Sequence, residues 1–253
     1  HSHMVHANLL ARLLRLSIAI PRLICSAHNT NEGGRLRMLA YRLTDGLADL
    51  STNVSHEAVA AFEKKGAVPK GRMLAVLNGI DCAEFFADAA SRTQMRHALE
   101  CADNEKVFIA VGRLTEAKDF PNLLRAFVSV SDACALACLW IIGDGPLRNE
   151  LEAQAVSLGL GERVRFLGVR RDVPALLRGA DIFVLSSAWE GFCLAAAEAM
   201  ATQLPVVVTD CGGVRETVGE CGFLVVPGDS NALALAMLRA ASLSPSQAKE
   251  LGA

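Results

Sequence analysis

Residues 187–200 read Ser-Ala-Trp-Glu-Gly-Phe-Cys-Leu-Ala-Ala-Ala-Glu-Ala-Met, and the fold prediction starts from this stretch. The apolar run before it, residues 181–186, is typical of a buried strand. The Ala- and Leu-rich half after Gly191 is typical of a short helix. Strand, glycine-containing turn and helix start together predict an anion site, because the first helical turn carries unpaired N–H groups and the positive end of the dipole.

Two carboxylates flank this predicted site, Glu190 in the turn and Glu198 within the helix. Two glutamates eight residues apart usually belong to a solvated helix face, but the alanines around Glu198 argue against a mere surface charge. Carboxylates are acceptors, so they suit paired hydroxyl groups and not phosphate. The stretch therefore indicates a ligand with both phosphate and vicinal hydroxyls, as in a sugar nucleotide.

Composition predicts a packed globular protein. The 253 residues are 52% hydrophobic and 21% charged, which suits one large domain or two small ones. A net charge of −2 argues against nucleic acid as a partner. Eight cysteines without a Cys-x-x-Cys pair suit buried apolar positions better than disulfides or zinc. No apolar run approaches the roughly 20 residues that span a bilayer.

Strands and helices alternate along the chain, which predicts parallel sheets. In the first part, Ser55 is the predicted N-cap of a helix. The predicted strands there are 22–28, 50–54 and 73–77, and the predicted helices are 5–14, 34–44 and 56–65. A hinge region is expected over residues 78–104, with a helix at 92–99.

After the hinge, six predicted strands alternate with helices, which indicates a doubly wound α/β domain. The strands are 106–111, 137–142, 164–167, 181–186, 205–209 and 223–226; the helices are 120–130, 147–157, 173–177, the one that carries Glu198, and 231–241. We expect both ends of the chain to lie inside a domain. No strand is predicted before the first helix, and Ser244 with Pro245 opens a further helix at the end.

Loops rich in small residues follow the strands, and ligands of doubly wound sheets lie at the carboxyl ends of the strands. The first loop carries Gly112, Arg113 and Lys118, two cations that could grip phosphate oxygens. The alternative is that both are surface charges, with Lys118 paired to Asp119 or Glu116. Gly-x-Gly-x-x-Gly and Gly-Lys-Ser/Thr are both absent, so a nicotinamide dinucleotide fold and a P-loop are disfavoured.

In order, the motifs resemble those of the retaining glycosyltransferases of family 4. The residues that carry the resemblance are Asn78-Gly79-Ile80-Asp81, Val111-Gly112-Arg113-Leu114 with Lys118, Gly143-Asp144-Gly145-Pro146, Glu190-Gly191-Phe192 with Glu198-Ala199-Met200, and Gly212-Gly213. The resemblance covers nearly the whole chain. It implies an α/β GT-B fold of two Rossmann-like doubly wound domains, residues 1–85 and 86–253, of which the N-terminal one is incomplete. The second would bind the nucleotide sugar and the first the acceptor.

The resemblance also implies roles for single residues. Arg113 and Lys118 would neutralise the donor diphosphate beside Gly112, and Glu198 would bind the ribose hydroxyls. Glu190 would bind hydroxyls of the donor sugar, with His3 facing that sugar from the N-terminal lobe. The further predicted contacts are Val169 at the base and the N–H groups of Phe192, Cys193 and Leu194 at the phosphate or sugar.

The implied activity is transfer of a sugar from a nucleotide-sugar donor, expected to be a UDP-sugar, to a glycan or lipid-linked acceptor in cell-surface polysaccharide synthesis. The sugar nucleotide is a substrate, and neither a cofactor nor a metal is expected. A site of His1, His3 and His6 is the weaker metal alternative. A non-catalytic or truncated relative that only binds a sugar nucleotide stays open, and so, more weakly, does a sugar-nucleotide epimerase.

Charge is unevenly distributed along the chain. Residues 1–80 carry ten Lys and Arg against five Asp and Glu, a formal charge of +5 against −7 for the remainder. This asymmetry suggests a cytoplasmic protein whose basic N-terminal lobe, with Arg12, Arg15 and Arg42, contacts the inner face of the membrane peripherally. The polar loop of residues 27–35 could help to bind acceptor.

Overall fold

The computed structural model of the protein describes residues 1–30 and 32–251, and contacts between residues divide the chain into two compact units. The first unit consists of His1–Gly79, Trp189–Cys193 and Gly212–Glu216. The second consists of Ile80–Ala188, Leu194–Cys211 and the chain from Thr217 onward. Two short segments from late in the sequence therefore belong to the unit that the first residues build.

The first unit contains a parallel sheet of four strands in the order β1-β2-β3-β4. The strands are β1 Ser2–His3, β2 Ile24–Ser26, β3 Leu50–Asn53 and β4 Met73–Ala75, and the helices are α1 Val5–Leu14, α2 Arg35–Thr44 and α3 His56–Lys64. All three helices were predicted to within one residue at each end. Ser55 caps α3 as expected, since its Oγ accepts a hydrogen bond of 3.1 Å from the Ala58 N–H.

A strand does precede the first helix, so the prediction that none would was wrong. β1 pairs with β2, placing Ser2 opposite Cys25 and His3 opposite Ser26. The N–H of Met4 then donates to the Ser26 carbonyl at 2.9 Å. Two residues, one serine and one histidine, offer no apolar run to a sequence pattern, and only the pairing partner defines the strand.

A cationic side chain lies in the interior of the first unit. Arg12 on α1 is fully buried. Its guanidinium donates to the Tyr41 carbonyl at 3.1 Å, to Thr44 Oγ1 at 3.2 Å and to Ser51 Oγ at 3.0 Å, and lies 3.5 Å from the Asp45 carboxylate. The prediction that Arg12 belongs to a membrane-facing basic surface was therefore wrong, because this side chain ties α1 to α2 and β3.

Helix α1 turns polar side chains inward and leucines outward. Asn8 and Arg12 are fully buried, whereas Leu10 is 59% and Leu13 52% exposed. Helix α2 shows the same tendency with the exposed leucines Leu36, Leu39 and Leu43. The first unit therefore has an apolar outer surface on both helices, although none of the described helices has the length and apolar character needed to cross a bilayer.

The second unit is built on a parallel sheet of six strands, in the order β7-β6-β5-β8-β9-β10. The strands are β5 Lys106–Val111, β6 Ala137–Ile142, β7 Val164–Gly168, β8 Ile182–Leu185, β9 Val206–Thr209 and β10 Gly222–Val225. Numbered within the unit, this is the doubly wound order 3-2-1-4-5-6. The prediction of two Rossmann-like parallel-sheet units is confirmed.

The helices of this part of the chain follow the predicted alternation, and the turn of residues 161–163 is a 3-10 helix. They are α4 Ala89–Ala98, α5 Phe120–Ala133, α6 Arg148–Ser157, α7 Val173–Gly179, α8 Leu194–Ala201, α9 Val214–Val218, α10 Ser230–Ala241 and α11 Pro245–Leu251. Ser244 caps α11 as predicted, accepting from the Gln247 N–H at 3.3 Å. The core lies between the sheet and helices α5 and α10, where Phe108 and Phe127 meet edge to face at 5.9 Å.

Replacing Arg12 with leucine should destabilise the first unit by about 3–5 kcal/mol, because Asp45 and several buried polar groups would lose a partner without compensation. Urea unfolding followed by circular dichroism measures this change. Arg22→Leu is the control, since Arg22 is exposed and its loss should alter the free energy of unfolding by no more than about 0.5 kcal/mol. Equal effects of the two substitutions would contradict the structural role of Arg12.

Candidate functional site

The loop that follows β5 is fixed by backbone hydrogen bonds to the loop after β6. The Gly112 N–H donates to the Ile142 carbonyl at 2.9 Å, and the Leu114 N–H donates to the Asp144 carbonyl at 3.0 Å. The Leu114 side chain is fully buried and anchors the loop from below. The residue between them, Arg113, is exposed at the carboxyl edge of the sheet.

Two glycines of the second loop make this close approach of the two backbones possible. A Cβ on Gly143 would lie 2.0 Å from the Gly112 carbonyl oxygen, and Gly143 also has a φ of +127°. A Cβ on Gly145 would lie 2.4 Å from the Leu114 carbonyl oxygen. The Gly-Asp-Gly-Pro sequence therefore supports the loop of Arg113, a role that sequence reasoning did not assign to it.

Lys118 belongs to the same loop as Arg113. A Cβ on Gly112 would lie 3.0 Å from Lys118 Cε, so the lysine side chain runs back over the glycine. The Lys118 carbonyl accepts from Ser186 Oγ at 2.8 Å, which fixes the loop to the end of β8. Asp119, a partner considered for this lysine, has a φ of +43° and caps α5 by accepting from the Asn122 N–H at 3.3 Å.

The remaining predicted donor contacts of the second unit lie at β7 and α8. Val169 follows Gly168 and is 76% exposed, an unusual position for an apolar side chain. Leu194 opens α8 and is 41% exposed. Glu198 is half-buried on α8, and burial raises its pKa above the ordinary value, with a further contribution from the Glu84 carboxylate. Glu198 forms no salt bridge with any residue that the structure describes, so its carboxylate can accept hydrogen bonds from ligand hydroxyls.

The turn of Glu190 lies in the first unit and packs on its backbone. The Thr30 hydroxyl donates to the Glu190 carbonyl at 3.2 Å. A Cβ on Gly191 would lie 2.2 Å from the His28 carbonyl oxygen. Phe192 is half-buried and Cys193 is buried in the same segment. A glycine is thus required where the turn meets the loop after β2.

The Gly-Gly pair secures this turn from the other side. A Cβ on Gly212, whose φ is +56°, would lie 1.9 Å from the Glu190 carbonyl oxygen. A Cβ on Gly213 would lie 2.3 Å from the Gly191 carbonyl oxygen. Residues 189–193 and 212–216 therefore form one layer of backbone against the first unit.

Glu216 completes that layer by capping helix α3. Its carboxylate accepts from the N–H groups of His56 and Glu57 at 2.8 and 2.7 Å and pairs with the His56 ring at 2.9 Å. Burial alone would raise the pKa of Glu216, but these hydrogen bonds and the helix N-terminus outweigh it, and the net pKa is lowered.

A histidine cluster lies at the carboxyl ends of β1 and β2. His3 Nδ1 is 2.8 Å from His28 Nε2, and His1 Nε2 is 2.8 Å from Ser26 Oγ. Sequence reasoning singled out His3 but missed His28 as its partner. The signal was not available in the sequence, because His3 lies in β1, which no apolar run marks as a strand. Over the described part of the chain, no group of three or more His, Cys, Asp or Glu side chains is arranged to hold a metal ion.

These histidines line a cavity of about 400 Å³ at the carboxyl ends of all four strands of the first unit. Its other polar walls come from Ser26, Thr52 and Asn53. Asn78 and several aliphatic side chains, among them Leu50 and Val76, line the rest of it. Imidazole, hydroxyl and amide groups both donate and accept hydrogen bonds, so the polar part of the cavity can bind hydroxyl groups. The predicted site residues thus fall into two sets. The second unit contains Gly112, Arg113, Lys118, Val169, Leu194 and Glu198, and the first unit contains His3, Glu190, Phe192 and Cys193.

Comparison with known proteins identifies the family to which the chain is related. The family described as glycosyl transferases group 1 matches residues 105–242. An uncharacterized glycosyltransferase of Methanocaldococcus jannaschii is 32% identical over 73% of this chain and 48% of its own length. The UDP-Gal:alpha-D-GlcNAc-diphosphoundecaprenol alpha-1,3-galactosyltransferase of Escherichia coli is 28% identical over 94% of this chain and 65% of its own.

Solved structures show the same fold. The Anabaena protein HepE, crystallised with UDP and glucose, superposes with a TM-score of 0.82 at 26% identity, covering 90% of this chain and 65% of its own. The GT-B fold and the glycosyltransferase family predicted from the motifs are thereby confirmed. The chain spans about half to two thirds of the length of these relatives.

The role of Glu216 can be tested through pH. A carboxylate whose pKa is lowered by folding stabilises the protein above its unfolded pKa of about 4.3, and this contribution is lost as the pH falls through the folded pKa. Glu216→Gln should therefore lower the free energy of unfolding at pH 7, and the difference from wild type should shrink in acid. Denaturation at a series of pH values measures it, with the exposed Glu220→Gln as control. A difference that stays constant with pH would contradict the assignment.

Proposed function

The chain belongs to the glycosyl transferases of group 1, and on that premise we propose that it is a retaining glycosyltransferase that moves a sugar from a UDP-sugar to a glycan or lipid-linked acceptor. The observation that carries the proposal is the cationic loop of Arg113 and Lys118, fixed by Gly143 and Gly145 in the unit that also holds Glu198. A cytoplasmic location with peripheral contact at the inner face of the membrane, in cell-surface polysaccharide synthesis, belongs to the same proposal.

Donor binding would use the carboxyl edge of the second unit. The exposed Val169 offers an apolar surface to the base, and the half-buried Glu198 accepts hydrogen bonds from the ribose hydroxyls. Arg113 and Lys118 pair with the diphosphate, Arg113 by two parallel N–H contacts and Lys118 as a point charge. Related proteins support this choice, since HepE was solved with UDP and the E. coli relative uses UDP-Gal.

The chemistry follows from where charge develops. As the bond between the anomeric carbon and the β-phosphate oxygen breaks, negative charge grows on the leaving UDP. Preorganised cations stabilise that charge without reorganisation at the moment of reaction. Because Arg113 and Lys118 can supply this stabilisation, we propose a reaction that needs no metal ion.

Retention places the acceptor hydroxyl on the face that the leaving group departs from. The acceptor oxygen bonds to the anomeric carbon, and its proton passes to the departing β-phosphate, which serves as base. In the first unit, Glu190 and His3 are assigned to hydroxyls of the transferred sugar. The cavity of about 400 Å³ that His3 lines is assigned to the acceptor. The second unit would therefore bind the donor, and the first unit would bind the acceptor.

Calorimetric titration with UDP and with uridine tests the donor site. Arg113→Ala should weaken UDP binding by about 10- to 100-fold, since a hydrogen bond to a charged group contributes about 1.5–3 kcal/mol, and should leave uridine unaffected. Glu198→Ala should weaken both ligands, because both carry the ribose. The exposed Arg125→Ala is the matched control. UDP binding that neither Arg113→Ala nor Glu198→Ala weakens would contradict the site.

Transfer itself is tested with UDP-sugars and simple acceptors, reading the anomeric configuration of the product by NMR. We expect retention, and a 10²- to 10³-fold lower turnover in Arg113→Ala. An inverted product would overturn the stereochemical assignment. UDP binding without transfer to any acceptor would favour a protein that only binds sugar nucleotides.

A further inference from the structure

A cavity of about 620 Å³ opens between the start of α2 and the end of α3, and none of the residues assigned above to the donor or the transferred sugar lines it. Three cationic side chains line it, Arg35, Arg42 and Lys65, and we call it the basic cavity. Met38 and Leu39 form its apolar side. Cationic and apolar side chains that line one cavity suit an amphiphile with a charged head.

The charge in the basic cavity is not neutralised by nearby carboxylates. Neither Arg35 nor Arg42 forms an ion pair with any carboxylate of residues 1–30 and 32–251. The carboxylate of Glu32 turns inward, accepting from the His28 N–H at 2.9 Å and from the Tyr41 hydroxyl at 2.6 Å. The cavity therefore presents an excess of positive charge to a ligand.

Glycines bring this charge close to the backbone. A Cβ on Gly66 would lie 3.2 Å from Arg42 Nη1, so the guanidinium of Arg42 lies directly over that glycine. At Gly34, the N-cap of α2, a Cβ would meet nothing within 4 Å, and no side chain caps the helix there. The space beside Arg35 and Arg42 is thus open.

The apolar side of the basic cavity continues along α2. Leu36, Leu39 and Leu43 are exposed by 83%, 50% and 75%. Their spacing of three and four residues places them on one face of the helix. Leu39 belongs to both this leucine stripe and the cavity wall, so a chain attached to a bound head group could lie along the stripe.

A short set of contacts links the basic cavity to the turn of Glu190. Lys65 Nζ donates to the Thr30 carbonyl at 2.8 Å, and the Thr30 hydroxyl donates to the Glu190 carbonyl at 3.2 Å. One residue thus joins a cation of the cavity to the turn whose side chain is assigned to the transferred sugar. A ligand head group in the cavity would lie near the place where an acceptor is needed.

We propose that the basic cavity binds the diphosphate of a lipid-linked acceptor, with its lipid chain along Leu36, Leu39 and Leu43. Three cations match the two negative charges of a diphosphate that links a sugar to a lipid better than the single charge of a phosphodiester head group. The inference rests on the proposed glycosyltransferase function and names the chemical class of its acceptor.

The test is calorimetric titration of the full chain with farnesyl diphosphate in the absence of donor. Binding should weaken at least tenfold in Arg35→Gln/Arg42→Gln and stay unchanged in the exposed control Arg22→Gln. Leu36→Ser/Leu43→Ser should weaken farnesyl diphosphate but not inorganic diphosphate. All substituted positions are exposed, and circular dichroism together with UDP titration checks that each variant is folded.

The outcomes separate the two proposals. If farnesyl diphosphate does not bind, or if the arginine substitutions leave its binding unchanged, the proposed ligand of the basic cavity is overturned. UDP binding tests the donor site independently of this result. Loss of UDP binding with retained farnesyl diphosphate binding counts against the proposed function alone. Vesicles of phosphatidylglycerol distinguish the lipid sources. If they compete with farnesyl diphosphate as strongly at equal phosphate concentration, the site recognises a phospholipid head group and the acceptor assignment is overturned.

Discussion

Backbone packs directly on backbone at the carboxyl ends of the strands, and the arrangement of both polar edges depends on it. Gly143 packs against Gly112, and Gly212 packs against Glu190. A Cβ added to either glycine would lie only 2.0 or 1.9 Å from the carbonyl oxygen of its neighbour, which leaves no space for a side chain. Both glycines also have positive φ values, which other residues adopt only at a cost. Loops held in this way lose little further freedom when a ligand binds, which is the condition for preorganised charge stabilisation.

The two polar edges differ in chemistry. The edge of the second unit combines Arg113 and Lys118 with the half-buried Glu198, a pattern suited to a phosphate next to a diol. The edge of the first unit combines His3, His28, Thr52 and Asn53, which exchange hydrogen bonds with hydroxyls and carry little fixed charge. Under the proposed function, the environment in the second unit would serve the donor diphosphate and the one in the first unit the acceptor hydroxyls.

The interior of the first unit is unusually polar. Arg12, Asn8 and the carboxyl of Glu32 meet around Tyr41, and burial together with the Glu32 hydrogen bond raises the pKa of the Tyr41 hydroxyl. With these groups inside, the leucines of α1 and α2 lie outside. The basic cavity meets that apolar surface at Leu39. The sequence alone suggests a basic lobe, and the structure separates its cations into a buried brace, Arg12, and exposed ones, Arg35 and Arg42.

Local patterns in the sequence determined the alternation of strands and helices, the caps at Ser55 and Ser244, and the order of the motifs. These features depend on residues within one or two turns of each other, where burial periodicity and capping act. Strand β1 was not predicted from the sequence, because its two residues are defined as a strand only by their pairing with β2.

Only the tertiary structure decided which distant residues meet. It joined residues 189–193 and 212–216 to the first unit, paired His3 with His28, buried Arg12 and assembled the basic cavity from the ends of two helices. Such contacts depend on the path of the whole chain, and the residues involved look locally like loop glycines and surface cations.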